Sequence, residues 1–249
     1  MRIAVAGATG RIGALVVTAL ERDGHEVVGI SRSLGVDLLT GEGFGEVLAG
    51  AAAVIDVTNT FATDRDDAVD HLGTITRNLL AAEEAAGTVR HHVLLSIVGI
   101  AGVDGNAHYA AKREQERLVA AGPIPWTIVP ATQFHDFAAM VASWTEQDGV
   151  ATIAPLLVQP IAPADVAEIL AEVALGEPQG RYADVAGPGT QDLVDMARRT
   201  HVARGLEVTL VPTWSGLFDT SMAGDVLLPG PGARLGPTTF DDWLALGAS

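Results

Sequence analysis

The chain has 249 residues, 48% of them hydrophobic and 18% charged, which is the composition of a folded globular protein and excludes a disordered one. Its 31 acidic side chains against 15 basic ones set a formal net charge of −16, a field that repels phosphate backbones and anionic membranes, so neither nucleic acid nor membrane is an expected partner. Cysteine is absent, which removes disulfides, thiolate nucleophiles and Cys-ligated zinc together.

In chain order, short β-branched runs alternate with segments of helical period. The first strand is predicted at Arg2–Ala6, followed by Gly7-Ala8-Thr9-Gly10-Arg11-Ile12-Gly13 and a helix whose Ile12, Leu15, Val16, Ala19 and Leu20 share one face. Strands follow at Glu26–Ile30 and Ala53–Val57. A long helix opens near Asp64 and closes at Gly87, with Leu72, Ile75, Leu79 and Leu80 on its buried face and the acids Asp64, Asp66 and Asp67 capping its start. His91–Ser96 reads as a strand, Ala110–Ala121 as a helix and Trp126–Val129 as a fifth strand. Beyond them come a helix at Pro163–Leu175, a strand at Arg181–Ala186, a helix at Gln191–Arg204 and a strand at Glu207–Val211. A Pro229–Gly232 loop then precedes a short helix near Phe240–Leu246. The pattern implies an α/β fold: a doubly wound parallel sheet of Rossmann type with a small C-terminal part that extends the sheet and caps the substrate. It is read as one domain over residues 1–249, with the cofactor core at about 1–150 and the extension and cap at about 151–249. No apolar run approaches the ~20 residues of a membrane helix and no signal peptide is evident, so a soluble cytoplasmic protein is expected.

A GxxGxxG spacing carries weight because it follows a strand and opens a helix. Gly7 permits the tight turn, Gly10 lets backbone N–H groups approach a pyrophosphate, and Gly13 lets the helix pack on the strand. The helix N-terminus adds partial positive charge. An NAD site ends its second strand in Asp or Glu; here Ser31-Arg32-Ser33 stands in that place. A guanidinium flanked by hydroxyls suits a 2′-phosphate, and Arg11 adds a second cation at the same mouth. The cofactor is therefore expected to be NADP(H) rather than NAD.

Together with Val36-Asp37, His91–Ile100, Ala110–Glu116 and Ala131–Phe137, these motifs resemble the short-chain dehydrogenase/reductase superfamily, in its atypical branch of NmrA-like NAD(P)-binding proteins. The resemblance covers nearly the whole chain. It implies that Thr9 and Ile12 belong to the dinucleotide loop, that Asp37 and Leu38 border the adenine, and that Val57, Thr58 and Asn59 line the ribose. It further implies that Pro130–Phe134, with Ala131, Thr132 and Phe134, stands by the nicotinamide. Without the family, Asp37 reads as a turn residue, and Asp56 as a buried strand-end carboxylate that caps a neighbouring loop.

The superfamily's chemistry rests on Ser, Tyr and Lys in a YxxxK arrangement, the Lys holding the ribose and assisting the phenol as acid. Here Ser96 ends a strand and Lys112 lies in the next helix, but His108 stands four residues before Lys112 and Tyr109 only three. Both spacings leave the side chain within reach of the lysine's face, so the proton donor is His108 or Tyr109. Lys112 is the only lysine among the 15 basic residues, which marks an ammonium kept where arginine is otherwise chosen.

Other constellations carry less. None of the seven histidines forms HxxxH or HExxH, and His91 and His92 point to opposite faces of a strand, so no metal is expected. No G-x-S-x-G elbow exists for a serine hydrolase. His135 is a pocket residue or a hydrogen-bonded structural histidine. Trp144, Trp214 and Phe218 line a cap or fill a core, and Trp243 reads as core. The expected function is NADPH-dependent reduction of a small, largely apolar carbonyl or quinone by a monomer or homodimer. The alternative is a non-catalytic NADP(H)-sensing regulator.

Overall fold

The computed structural model describes residues 1–44, 46–103 and 105–247. Its elements run β1 (Arg2–Ala6), α1 (Arg11–Arg22), β2 (Glu26–Ile30), β3 (Ala53–Asp56), α2 (Arg65–Ala86), β4 (His91–Ile97), α3 (Ala107–Ala121), β5 (Trp126–Ala131) and α4 (Phe137–Thr145). They continue with β6 (Val150–Ile153), β7 (Leu157–Val158), α5 (Pro163–Leu175), β8 (Gly180–Arg181), β9 (Val185–Ala186), β10 (Gln191–Asp192), α6 (Leu193–Arg204), β11 (Thr209–Pro212), β12 (Arg234–Leu235) and α7 (Phe240–Ala245). The residues pack as two compact units that interleave along the chain. The first comprises Met1–Pro130 and Val166–Ala183; the second comprises Ala131–Asp165 and the chain from Asp184 onward.

In the first unit the sheet order is β8-β5-β4-β3-β1-β2. The pairs β1–β2, β1–β3, β3–β4 and β5–β8 are all parallel. The chain crosses one way from β1 to β2 and the other way from β1 to β3, so the sheet is doubly wound and its switch point lies between the carboxyl ends of β1 and β3. Burial explains why the strands are nearly continuous apolar runs: Ile3–Ala6, Val54, Ile55, Val93 and Leu94 are fully covered. From α2, Leu72, Ile75 and Leu79 join Ala4, Ala6, Val54 and Ala111 in one core, each large side chain contributing about 1.5–3 kcal/mol by its burial. Asp64 caps α2, accepting from Asp66 N at 2.9 Å and Asp67 N at 3.0 Å, and Gly87 ends the helix in the left-handed conformation (φ 64°).

Two boundaries differ from the sequence expectation in ways that matter. Helix α3 begins at Ala107 rather than Ala110 because the Asn106 side chain accepts Tyr109 N at 3.2 Å and caps the helix early. This puts His108 and Tyr109 inside the helix, in register with Lys112. Strand β5 extends through Pro130 to Ala131, two residues past Val129.

The second unit has short strands. Strands β6 and β11 pair in parallel, β7 and β10 antiparallel, and β9 pairs with β12 and with Ala131. The expected strand at Arg181–Ala186 is two separate pieces, β8 and β9. Asp192, expected inside a helix, instead ends β10 and caps α6 by accepting Asp195 N at 2.9 Å. Helix α4 was not foreseen. Its residues are mostly small and apolar, and without a polar face they give the sequence no helical period to read.

Candidate functional site

The glycine loop sits at the switch point. Gly7 has φ 84°, and a Cβ there would meet Val57 O at 3.2 Å. The third glycine is compulsory: a Cβ on Gly13 would stand 2.1 Å from Gly7 O and 2.8 Å from Ala8 Cα, far inside contact distance. Gly10 caps α1 with no side-chain bond, and the first turn of α1 carries no acid. The loop is thus a backbone cradle open toward a helix N-terminus, and its residues fit the diphosphate of a dinucleotide. Thr9 and Arg11 are exposed in it, and Ile12 is half-buried.

After β2, the chain turns through a short 3₁₀ segment, Arg32–Leu34. The hydroxyls of Ser31 and Ser33 lie 3.0 Å apart, and Ser33 donates to Thr9 Oγ1 at 3.3 Å, so the loop and the end of β2 share one hydroxyl cluster. Arg32 is exposed beside it; its carbonyl accepts Gly35 N at 3.1 Å, and its guanidinium bonds no described residue. Asp37 folds its own turn, accepting Leu39 N at 2.8 Å and Thr40 N at 3.4 Å. Leu38 is buried in the core, and its carbonyl accepts from Asn78.

Across the switch point, Val57 is half-buried, Thr58 buried and Asn59 exposed. Asp56 is fully buried and caps the loop, accepting Thr58 N at 2.8 Å; its other oxygen receives Gln115 Nε2 at 3.3 Å. Gln115 also reaches Thr58 Oγ1 and Thr76 Oγ1, each at 3.2 Å, tying β3, α2 and α3 together.

Lys112 is 4% exposed, and its Nζ donates to Thr58 O at 3.1 Å and Leu95 O at 3.0 Å, bridging the ends of β3 and β4. Burial drives the ammonium down to about 8, against the pull of the Asp56 and Glu116 carboxylates. His108 is driven down to about 4 by burial and then by the Lys112 charge, so its imidazole is neutral at pH 7. Tyr109 is buried, and its ring meets that of His108 edge-on at 6.3 Å. Ser96, also buried, donates to Glu116 Oε1 at 2.6 Å, and Arg181 Nη1 holds Glu116 Oε2 at 2.7 Å. With its proton directed at a carboxylate, the Ser96 hydroxyl offers any further partner only lone pairs. The structure thus places His108, Tyr109 and Lys112 on the first turns of α3 and sets Ser96 against Glu116, further along the same helix. Glu116 and Gln115 are the additions; the i, i+4 spacing of Lys112 and Glu116 was the available signal.

Ala131, Thr132 and Phe134 belong to the second unit. Thr132 is buried, its amide donating to Val185 O and its hydroxyl to Gln159 O at 2.6 Å, while Phe134 bridges Ile161. His135 proves structural: Nε2 bonds Thr238 O at 3.0 Å, and the ring packs against Phe240 and Trp243, the latter buried as expected. His91 and His92 go separate ways, to Thr127 and Gly176 and to Glu83 respectively. Among the described residues, no three His, Asp or Glu side chains form a metal-ligand group and no helix is long and apolar enough to cross a membrane.

A glycine cradle at the switch point of a parallel sheet, with a basic and hydroxyl-lined turn after β2, defines a Rossmann-type dinucleotide-binding protein. The chain belongs to the NAD(P)H-binding family, whose model matches residues 7–178. The same fold occurs in the NADPH-dependent quinone oxidoreductase QOR2 from Escherichia coli, at 17% identity over 99% of this chain and 100% of that one, with a TM-score of 0.70. It occurs also in dTDP-4-dehydrorhamnose reductase from Bacillus anthracis in complex with NADP (15% identity, 98% and 97% covered, TM-score 0.73). A third example is the Citrobacter sp. triphenylmethane reductase complexed with NADP(H) (16%, 86% and 79%, 0.61). At these identities the likenesses show a shared fold. No protein of curated function matches the chain in sequence.

Proposed function

We propose that the protein is an NADPH-dependent oxidoreductase that reduces a small carbonyl or quinone. The observation that carries this reading is Lys112, the only lysine of the chain, buried between two strand-end carbonyls with a tuned ammonium beside the glycine cradle. The Gly7–Gly13 loop holds the diphosphate, and Arg32 with Ser31, Ser33 and Thr9 holds the 2′-phosphate, with Arg11 at the same mouth. Lys112, from its place between Thr58 and Leu95, holds the nicotinamide ribose. Hydride is what the dinucleotide supplies when bound. The protein's share is orientation, exclusion of water and delivery of a proton. Tyr109 is assigned that proton, since His108 is neutral and carries none to spare near pH 7. A quinone acceptor, which demands less of a single well-placed acid, suits the tyrosine's three-residue spacing from Lys112.

The second reading, a non-catalytic NADP(H) sensor, draws on one observation: the Ser96 proton is already committed to Glu116. Following NADPH oxidation with a panel of quinones and carbonyls separates the two. Wild-type turnover that disappears in Lys112→Met supports the reductase. NADPH binding without turnover across the panel moves the assignment to the sensor.

A further inference from the structure

We propose that Glu116 is a positioning residue of the reductase site: anchored from behind by Arg181, its carboxylate fixes the Ser96 hydroxyl one helical turn from Lys112. The inference rests on the proposed reductase reading for its purpose, but its geometry stands independently. One carboxylate oxygen receives Ser96 at 2.6 Å and the other receives Arg181 at 2.7 Å, so both are engaged in charge-assisted bonds and the group has no freedom to turn away. Its side chain is 15% exposed, whereas that of Arg181 is 46% exposed, so the anchor reaches in from solvent to a mostly covered carboxylate.

Glu116 also lies one helical turn beyond Lys112 on α3, on the same stripe. The charged and titratable groups acting on the ammonium come from each element around it. Asp56, at the end of β3, and Glu116, on α3, favour the charged form; His108, on α3, is kept neutral beside it. From β4 comes the Leu95 carbonyl, 3.0 Å from Nζ. Asp56, the larger of the two influences, also caps the Thr58 turn and receives Gln115. Glu116 is the acid whose remaining bond runs directly to the other proposed site residue, Ser96. Glu116 therefore sets which way the serine proton points and, together with Asp56, opposes the desolvation of the lysine.

The chain's single lysine makes the test direct, because protein grown on lysine labelled with 13C at Cε carries one side-chain resonance that titrates with Lys112. In Glu116→Gln, which keeps the shape and removes the charge, the midpoint of that titration is expected to fall by about half a pH unit or more. The alkaline loss of NADPH binding, followed by cofactor fluorescence, is expected to move down with it, and Glu116→Asp to recover part of both. Should Glu116→Gln fail to fold, Arg181→Gln takes its place at a half-exposed guanidinium; removing the positive charge behind the same carboxylate is expected to raise the midpoint. A lysine midpoint that stays in place in a folded variant, or NADPH binding whose alkaline limb does not follow the lysine, overturns the proposal. Neither readout needs a substrate, so failure here is distinct from failure to find turnover.

Discussion

The first unit holds two cations at opposite ends of the proposed cofactor site, and they are built in opposite ways. Arg32 is exposed, unpaired among the described residues, and set beside hydroxyls in a short turn. Lys112 is buried, bonded to two carbonyls and flanked by two carboxylates. The contrast separates recognising a charge from tuning one. A phosphate dianion needs a permanent cation that can be reached from water, and arginine stays charged everywhere. A reacting centre needs a cation whose proton is held loosely and whose position is fixed, which takes burial, and burial takes a supporting network.

That contrast can be broken at either end. The largest effect is expected from Lys112→Met, which removes the bridge between Thr58 and Leu95: kcat/KM should fall by about 100-fold or more, read from initial rates of NADPH oxidation. Gly13→Ala drives a methyl into Gly7 O at 2.1 Å and should cost about 3 kcal/mol of stability and abolish NADPH binding. Urea denaturation and fluorescence titration check both. Arg32→Asp should weaken NADPH about 30-fold while changing NADH by less than about 3-fold; equal losses for the two cofactors would remove the 2′-phosphate assignment.

The smallest effect concerns acid. The His108 imidazole titrates near 4 in the folded protein and near 6.5 when unfolded, so between these values the unfolded chain takes up a proton that the folded one refuses. The stability tied to His108 is full above 6.5 and falls as the pH drops toward 4. Wild type should thus lose more stability than His108→Gln on going to about pH 5, by up to about 2 kcal/mol, as measured by urea midpoints. An equal loss in both proteins would mean the imidazole is not held neutral.

How legible each part was follows the range of the interactions that build it. The α/β alternation and the glycine spacing could be read directly, because strand burial, helix period and the Gly13 contact are matters of a few neighbouring residues. Asp64 and Gly87 announced the ends of α2 for the same reason. Helix α3 starts three residues before the expected Ala110 because Asn106 caps it, a signal that is itself local. Helix α4 gave no periodic signal, and the interleaving of the two units along the chain is invisible to any local pattern.

The sequence by itself determined a parallel sheet with a dinucleotide cradle at its first turn, a basic turn after its second strand, and the presence of one lysine, one serine and two rival proton donors. Only the tertiary structure decided their states. It buried Lys112 and lowered its ammonium, neutralised His108, and turned the Ser96 proton toward Glu116. It also settled His135 as a packing residue against Phe240 and Trp243. Residue type and spacing carry the first set because they act through the local chain. Burial and charge carry the second, and both depend on neighbours that folding brings in from distant sequence, such as Thr58, Arg181 and Thr238.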